Sequence, residues 1–123
     1  MSKRHDIFVY GTLKRGFYNH DRILGHNEGA EFLGSGLTKP TFTMLDMGPY
    51  PGVVEGGETA IKGEVYRVDE ATLTRLDALE GHPSFYRRTP ITLDGGGEQE
   101  VEIYLLQSKR NEANIVQTGV WRK

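Results

Sequence analysis

A glycine-containing stretch directly after an apolar segment is the first place where the sequence could perform chemistry. Residues 9–16 read Val-Tyr-Gly-Thr-Leu-Lys-Arg-Gly. Glycine after a strand lets the backbone turn sharply and approach a ligand, and successive free N–H groups in such a turn can bind a carboxylate or a developing oxyanion. Gly11 and Gly16 have the spacing of a phosphate-binding loop, but Phe17 and Tyr18 stand where Lys and Ser or Thr are required. An ordinary structural turn remains the alternative.

The second candidate is a glutamate in the last turn of a predicted helix. At about 100° per residue, Glu80 projects between Leu73 and Leu76, within the apolar stripe. The negative end of the helix macrodipole disfavours another negative charge there, and partial burial acts in the same direction. We therefore expect a raised pKa, which makes a carboxylate a better proton acceptor near neutral pH. An ion pair with Arg87 or Arg88 is the structural alternative.

Other polar residues give weaker indications. Asp77 lies on the rim of the same helix face, and we expect it to bond a nearby tyrosine or a backbone group. The four histidines lack the spacing of a metal site and fall on different elements, so no metal is expected. No serine lies in a Gly-x-Ser-x-Gly pattern. Tyr50 and Tyr86 could line a pocket, although aromatic residues of a small sheet protein are often core.

The elements that must position these residues are short. Sixteen glycines and five prolines divide the chain, and apolar segments bounded by them are typical of strands. A short helix is predicted to begin near Asn19 or His20. Residues 48–57 are predicted to form a loop interrupted by Val53-Val54. Strands are predicted at 6–10, 31–38, 42–47, 60–68, 85–93 and 100–107, with a turn at Asp94-Gly-Gly-Gly.

The best-defined element is the helix that carries Glu80. Asp69 is a credible N-cap, and Gly81 is a suitable terminator. Leu73, Leu76 and Leu79 are expected to form its apolar face.

Many short strands and one or two helices predict an α+β domain built around an antiparallel or mixed sheet. Regular βαβ alternation is missing, which argues against a doubly wound fold. We expect a single domain over residues 1–123, with a core over about 6–107 and a polar tail over 108–123. Ile115-Val116 and Val120-Trp121 are expected to anchor the tail.

Composition excludes several classes of function. The chain has no cysteine, which removes disulfides, thiolate nucleophiles and cysteine-bound zinc. A formal net charge of −2 gives no general attraction to nucleic acid or anionic lipid. No apolar run approaches the roughly 20 residues needed to cross a bilayer, and the first residues do not resemble a signal peptide. We expect a soluble, cytoplasmic protein with no nucleic-acid or membrane partner.

Several short motifs occur in one order along the chain. They are residues 8–16, Asn19-His20, Gly48-Pro-Tyr-Pro-Gly52, Gly63-Glu-Val-Tyr66, Val68-Asp69, Leu76-Asp77-x-x-Glu80 and Tyr86-x-Arg88. Together they resemble the γ-glutamylcyclotransferase-like superfamily, and most closely its γ-glutamylamine cyclotransferase (AIG2-like) branch. The resemblance spans roughly residues 7–106, and the tail beyond Gln107 matches no part of the pattern.

This resemblance implies a small β-barrel flanked by one or two helices, with the substrate cavity at the barrel mouth. It assigns binding of the γ-glutamyl moiety to Tyr10, Gly11, Thr12 and Leu13, and the role of general base to Glu80. The implied reaction is intramolecular: the substrate α-amine attacks its own side-chain carbonyl. It forms 5-oxoproline, releases the attached amine and requires no cofactor.

Pro83–Phe85 and the loop over residues 48–57 could shape the leaving-group side of the pocket. We expect Tyr50, Pro51, Gly52 and Tyr86 to line the pocket. Competing hypotheses are a non-catalytic module that binds small carboxylates, with Glu80 as a polar wall residue, and a protein-interaction domain that uses the tail.

Overall fold

Short strands dominate the fold. The computed structural model describes residues 3–94, 99–107 and 114–122. Within these ranges the elements are β1 (Arg4–Val9), α1 (His20–Ile23), β2 (Ala30–Thr38), β3 (Phe42–Asp46), β4 (Pro51–Glu55), β5 (Lys62–Asp69), α2 (Glu70–Glu80), β6 (Tyr86–Asp94), β7 (Gln99–Leu106) and β8 (Asn114–Ile115). The predicted three-glycine turn after Asp94 lies outside the described residues.

Five of these strands close into a barrel in the order β1-β5-β2-β6-β7. All neighbours pair antiparallel except β1 and β7, which are parallel at Ile7↔Glu102 and Phe8↔Ile103. The barrel and its two helices confirm the predicted α+β class with a mixed sheet.

Alternate residues of β1 serve two hydrophobic cores. Phe8 belongs to the core that fills the barrel, whereas Ile7 and Val9 belong to the core that α2 covers. This division follows from the period of two along a strand. Gly63 lies against the barrel core, because a Cβ atom there would come within 2.7 Å of the Phe8 ring and 2.4 Å of the Val9 carbonyl oxygen. The barrel interior is therefore filled by side chains.

A second sheet, in the order β4-β3-β8, packs beside the barrel. The prediction of a loop over residues 48–57, interrupted only by Val53-Val54, is wrong for residues 51–55, where β4 pairs antiparallel with β3. Pro51 is the first residue of β4, a position where the missing N–H does not interrupt a strand. Val53, in the middle of β4, is fully buried.

The described part of the tail, residues 114–122, packs against the body, as predicted. Trp121 is only 2% exposed, and its carbonyl oxygen accepts a hydrogen bond from Lys14 Nζ at 2.9 Å. The Lys62 N–H donates to the Gly119 carbonyl at 3.0 Å. Ile115 contributes strand pairing with Leu45 rather than buried area, because its side chain is 56% exposed.

Helix α2 begins and ends where the sequence predicts. Asp69 Oδ1 accepts a hydrogen bond from the Thr72 N–H at 2.9 Å, and Gly81 adopts the left-handed conformation at φ 65° that favours glycine. Leu73 and Leu76 are buried, but Leu79 is 39% exposed. The expectation that Leu79 belongs to the core face is wrong. It lies at the edge of the apolar stripe, where the helix leaves the core and meets a cavity.

Candidate active site

A cavity of about 450 Å³ opens at the end of the barrel where β1 finishes and β6 begins. It lies between the turn after β1 and the C-terminal end of α2. Of the predicted site residues, it brings together Glu80, Tyr10, Gly11, Thr12, Leu13, Tyr50, Pro51 and Tyr86. Glu80 and the turn after β1, which are far apart in sequence, thus line one cavity.

Gly52 is the exception among the expected lining residues. A Cβ atom on Gly52 would lie 2.7 Å from Leu106 Cδ2, so this glycine allows β4 to pack against β7. The preceding residue, Pro51, lines the cavity instead. The Pro51 ring also accounts for the glycine at position 11, because a Cβ atom on Gly11 would come within 2.8 Å of that ring.

Three of the tyrosines that line the cavity already donate their hydroxyl protons to protein oxygens. Tyr10 Oη donates to the Tyr104 carbonyl at 2.7 Å, and Tyr86 Oη donates to the Pro51 carbonyl at 2.6 Å. Tyr104 Oη donates to Asp77 Oδ1 at 2.6 Å, which confirms the expectation that Asp77 bonds a nearby tyrosine. Burial raises the pKa of all three hydroxyls, so they stay neutral and keep these bonds.

Glu80 lies among these tyrosines with an unpaired carboxylate. Burial raises the pKa of Glu80 from its ordinary value of 4.5 to about 7, in the predicted direction. The alternative of an ion pair with Arg88 is wrong, because Arg88 Nε lies 3.6 Å from Asp77 Oδ1 and 3.5 Å from Glu102 Oε2. Within the part of the chain that the structure describes, no basic side chain forms an ion pair with Glu80. A carboxylate that is neither paired nor well solvated is a stronger base than usual.

The turn after β1 presents backbone donors to the same cavity. The Lys14 N–H donates to the Gly11 carbonyl at 3.1 Å, and the Asn19 N–H donates to the Thr12 carbonyl at 3.0 Å. Across the described ranges, the N–H groups of Gly11, Thr12 and Leu13 donate to no protein acceptor. Successive N–H groups of this kind suit a carboxylate or an oxyanion.

Asn19 supports this turn with its side chain, lines the same cavity and was not among the predicted site residues. Its Nδ2 donates to Thr12 Oγ1 at 2.9 Å, while its Oδ1 accepts from Arg22 Nη1 at 3.2 Å. The Thr12 hydroxyl oxygen accepts a hydrogen bond from the Asn19 amide. The hydroxyl proton of Thr12 is therefore available for a hydrogen bond to a ligand in the cavity. The signal for Asn19 was its place in the Asn19-His20 motif. Tyr104, which also lines the cavity, gave no sequence signal as one residue of an alternating strand.

The Thr12 hydroxyl, whose proton is available to a ligand, gives a first testable expectation. Thr12→Val should lower kcat/KM roughly 10- to 100-fold, since a hydrogen bond from this hydroxyl to a charged group of the ligand is worth about 1.5–3 kcal/mol. Thr12→Ser keeps the hydroxyl and should retain most of the activity. Steady-state kinetics of both variants, with thermal unfolding as a control for folding, checks this. Wild-type kcat/KM in Thr12→Val would contradict a role for the hydroxyl in binding.

Metal binding and membrane insertion concern the described residues as a whole. Over residues 3–94, 99–107 and 114–122, no group of three or more His, Cys, Asp or Glu is arranged to hold a metal ion. No helix in the same ranges is long and apolar enough to span a membrane.

Comparison with known proteins places this chain in a family. The structure is similar to the crystal structure of an AIG2-like protein from Mus musculus, with a TM-score of 0.81 and 33% sequence identity over 94% of this chain and 87% of that chain. The family model described as "Gamma-glutamyl cyclotransferase, AIG2-like" matches residues 7–123. The chain belongs to this family. The match extends through the tail, so the expectation that the tail has no family counterpart is wrong.

Curated relatives agree with this assignment. A putative gamma-glutamylcyclotransferase of Methanocaldococcus jannaschii is 46% identical over 118 residues, which cover 94% of each chain. The gamma-glutamylaminecyclotransferase of Mus musculus is 43% identical over 90 residues, which cover 69% of this chain and 60% of that protein.

Proposed function

We propose that this protein is a γ-glutamyl cyclotransferase that converts γ-glutamyl amines into 5-oxoproline and the free amine. The observation that carries the proposal is the half-buried Glu80 carboxylate, which has no ion-pair partner among the described residues and shares one cavity with the turn after β1. The family assignment and the names of the relatives support the reaction class. The partner is a small-molecule substrate, and we keep the cytoplasmic location expected from the cysteine-free composition as part of the proposal.

In the proposed reaction, Glu80 begins by accepting a proton from the substrate α-ammonium. The pKa of an α-amino group is about 8, and that of Glu80 is about 7, so the transfer costs little free energy. The amine nitrogen then attacks the γ-carbonyl carbon, and the N–H groups of Gly11, Thr12 and Leu13 stabilise the resulting oxyanion. The bond to the leaving amine breaks as the carbonyl re-forms.

The protons of this reaction balance without a further reactant. The α-ammonium carries three hydrogens, of which the lactam nitrogen of 5-oxoproline keeps one. The other two finish on the leaving nitrogen, which departs as an ammonium ion. Glu80 first passes the proton taken from the α-ammonium to the leaving nitrogen. It then takes the second proton from the ring nitrogen and passes it to the same leaving group, so it is regenerated in each cycle. Because nucleophile and electrophile belong to one molecule, the enzyme mainly has to hold the reactive rotamer.

The competing hypothesis is a non-catalytic module that binds small carboxylates. The position of Glu80 argues against a carboxylate-binding module, because a carboxylate without an ion-pair partner among the described residues repels an anionic ligand in a low-dielectric cavity. A general base that removes a proton from the substrate ammonium, in contrast, requires a carboxylate next to that cationic group.

The test is product analysis with a panel of γ-glutamyl amides of chemically different amines. We expect 5-oxoproline and the free amine to be released in equal amounts. Release of free glutamate in place of 5-oxoproline would identify a hydrolase and contradict cyclisation. Saturable binding of the amides without any product would favour the binding module.

The pH dependence provides a second test of the same proposal. We expect kcat/KM to rise with pH along a limb centred near 7, because burial raises the pKa of Glu80 to about 7 and only the ionised form accepts a proton. As the pH falls below this value, the base is protonated and activity is lost. Rate profiles for one γ-glutamyl amide across this range check the expectation. A limb centred near the ordinary glutamate pKa of 4.5 would contradict it.

A further inference from the structure

The cavity has a buried floor and an exposed rim. Thr12 and Leu13, at 9% and 3% exposure, belong to the floor together with Tyr86 at 6%. The rim contains Tyr18, which is 61% exposed, and Leu79, which is 39% exposed. A substrate whose γ-glutamyl moiety lies on the floor must therefore extend its amine outward across the rim.

The rim is apolar and aromatic. It is formed by Tyr18 and Leu79 with the half-buried Tyr50 and Phe85, and the rings of Tyr50 and Phe85 meet edge to face with centroids 6.2 Å apart. Tyr18 and Leu79 are also two of the few large hydrophobic side chains that the described surface leaves exposed. Exposed apolar side chains that cluster at one cavity mark a binding surface more strongly than scattered ones do.

The charges of the lining residues also favour an uncharged substituent on the leaving amine. Among the described lining residues, Glu80 is the only one that carries an ionisable carboxyl, and none is Lys, Arg or His. A leaving amine with a charged group of its own would find no partner of opposite sign among them except the base itself. An uncharged apolar substituent needs no such partner, and its burial against the rim is favourable.

We propose, resting on the proposed function, that the preferred substrates are γ-glutamyl amides whose leaving amine carries an uncharged alkyl or aromatic group. This group lies against Tyr18, Tyr50, Leu79 and Phe85, which select for it. Ligand cavities of about 300–1,000 Å³ commonly enclose most of a small ligand, and the volume of about 450 Å³ leaves room for such a substituent beside the glutamyl moiety.

The experiment measures kcat/KM for 5-oxoproline formation across four γ-glutamyl amides, made from methylamine, n-butylamine, 1,4-diaminobutane and 4-aminobutyrate. We expect each added methylene of the alkyl series to raise kcat/KM about two- to fourfold, so that the butyl amide exceeds the methyl amide about tenfold or more. The amides with a terminal ammonium or carboxylate should fall well below the butyl amide.

Three outcomes would overturn the inference. Equal kcat/KM for all four amides would show that the rim does not select. Preference for the terminal ammonium would show that the aromatic rings recognise a cation instead, as aromatic side chains can. Absence of 5-oxoproline from every amide would overturn the proposed function together with the inference.

A pair of matched variants assigns the selectivity to the rim. Leu79→Ala should reduce the butyl-to-methyl ratio of kcat/KM by about threefold or more, because part of the apolar contact is lost. Leu37, on β2, is 44% exposed and lies outside the cavity, so Leu37→Ala should keep the wild-type ratio. Since each ratio is taken within one variant, a general loss of activity cancels. A full wild-type ratio in Leu79→Ala would overturn the assignment of Leu79.

Discussion

Glu80→Gln should lower kcat for 5-oxoproline formation by about 10²- to 10⁴-fold, the usual contribution of a positioned general base. Glutamine keeps the size and polarity of the side chain but cannot accept the proton of the α-ammonium. The carboxylate has no ion pair within the described residues, so the substitution removes the base without breaking a salt bridge. Steady-state kinetics with a γ-glutamyl amide measures the effect.

The matched control is Glu70→Gln, which makes the same change at the opposite end of α2. The Glu70 side chain is 59% exposed and contacts His5, outside the cavity. We expect this variant to keep its activity and to lose at most about 1 kcal/mol of stability from the first turn of the helix.

Folding should survive the loss of the Glu80 carboxylate. Because the pKa of Glu80 is raised from 4.5 to about 7, the folded protein binds more protons than the unfolded chain between these values. Stability therefore falls as the pH rises through this window. Above it, the buried ionised carboxylate costs on the order of 1–3 kcal/mol, which glutamine does not. Glu80→Gln should thus be at least as stable as wild type in mildly alkaline buffer, and near-wild-type activity there would contradict Glu80 as the base.

The second large effect concerns the tail. Trp121→Ala should lower the free energy of unfolding by about 3–5 kcal/mol, as truncation of a buried aromatic residue does. Trp121 is 2% exposed and packs in the core that fills the barrel. Its carbonyl oxygen also accepts a hydrogen bond from the Lys14 ammonium group. Loosening the tail therefore removes a contact to the turn after β1, which carries the backbone donors. Urea or thermal unfolding measures the loss.

Ile115→Ala is the control within the same segment. Its side chain is 56% exposed, so the change should stay within about 0.5 kcal/mol. A similar small effect for Trp121→Ala would show that the tail contributes little to the fold. Trp121→Phe should lie between the two variants, because it keeps most of the buried ring area.

Local sequence signals correctly predicted the two ends of α2 and the place of Glu80 in its last turn. Asp69 and Gly81 are residue types whose backbone preferences and hydrogen bonding set helix ends directly. The position of Glu80 follows from the helical period, which is a property of the helix alone. The direction of its pKa shift then followed from being partly buried.

Contacts between distant segments could not be predicted in the same way. Pro51 and Gly52 are typical of a loop, yet β4 forms because β3 and Leu106 lie beside them. The parallel pairing of β1 with β7, which closes the barrel, joins strands about ninety residues apart and leaves no local pattern. Likewise, the role of Asn19 depends on a side-chain bond to Thr12 that no spacing rule predicts.

The filled barrel has a consequence for how such a protein can diverge. With the Phe8 ring packed over Gly63, side chains fill the barrel interior, and changes there alter folding first. The rim side chains Tyr18 and Leu79 are largely exposed, so changing them removes little buried area. Under the proposed function, substitutions at the rim can therefore change which amine is accepted without altering the residues on which folding depends.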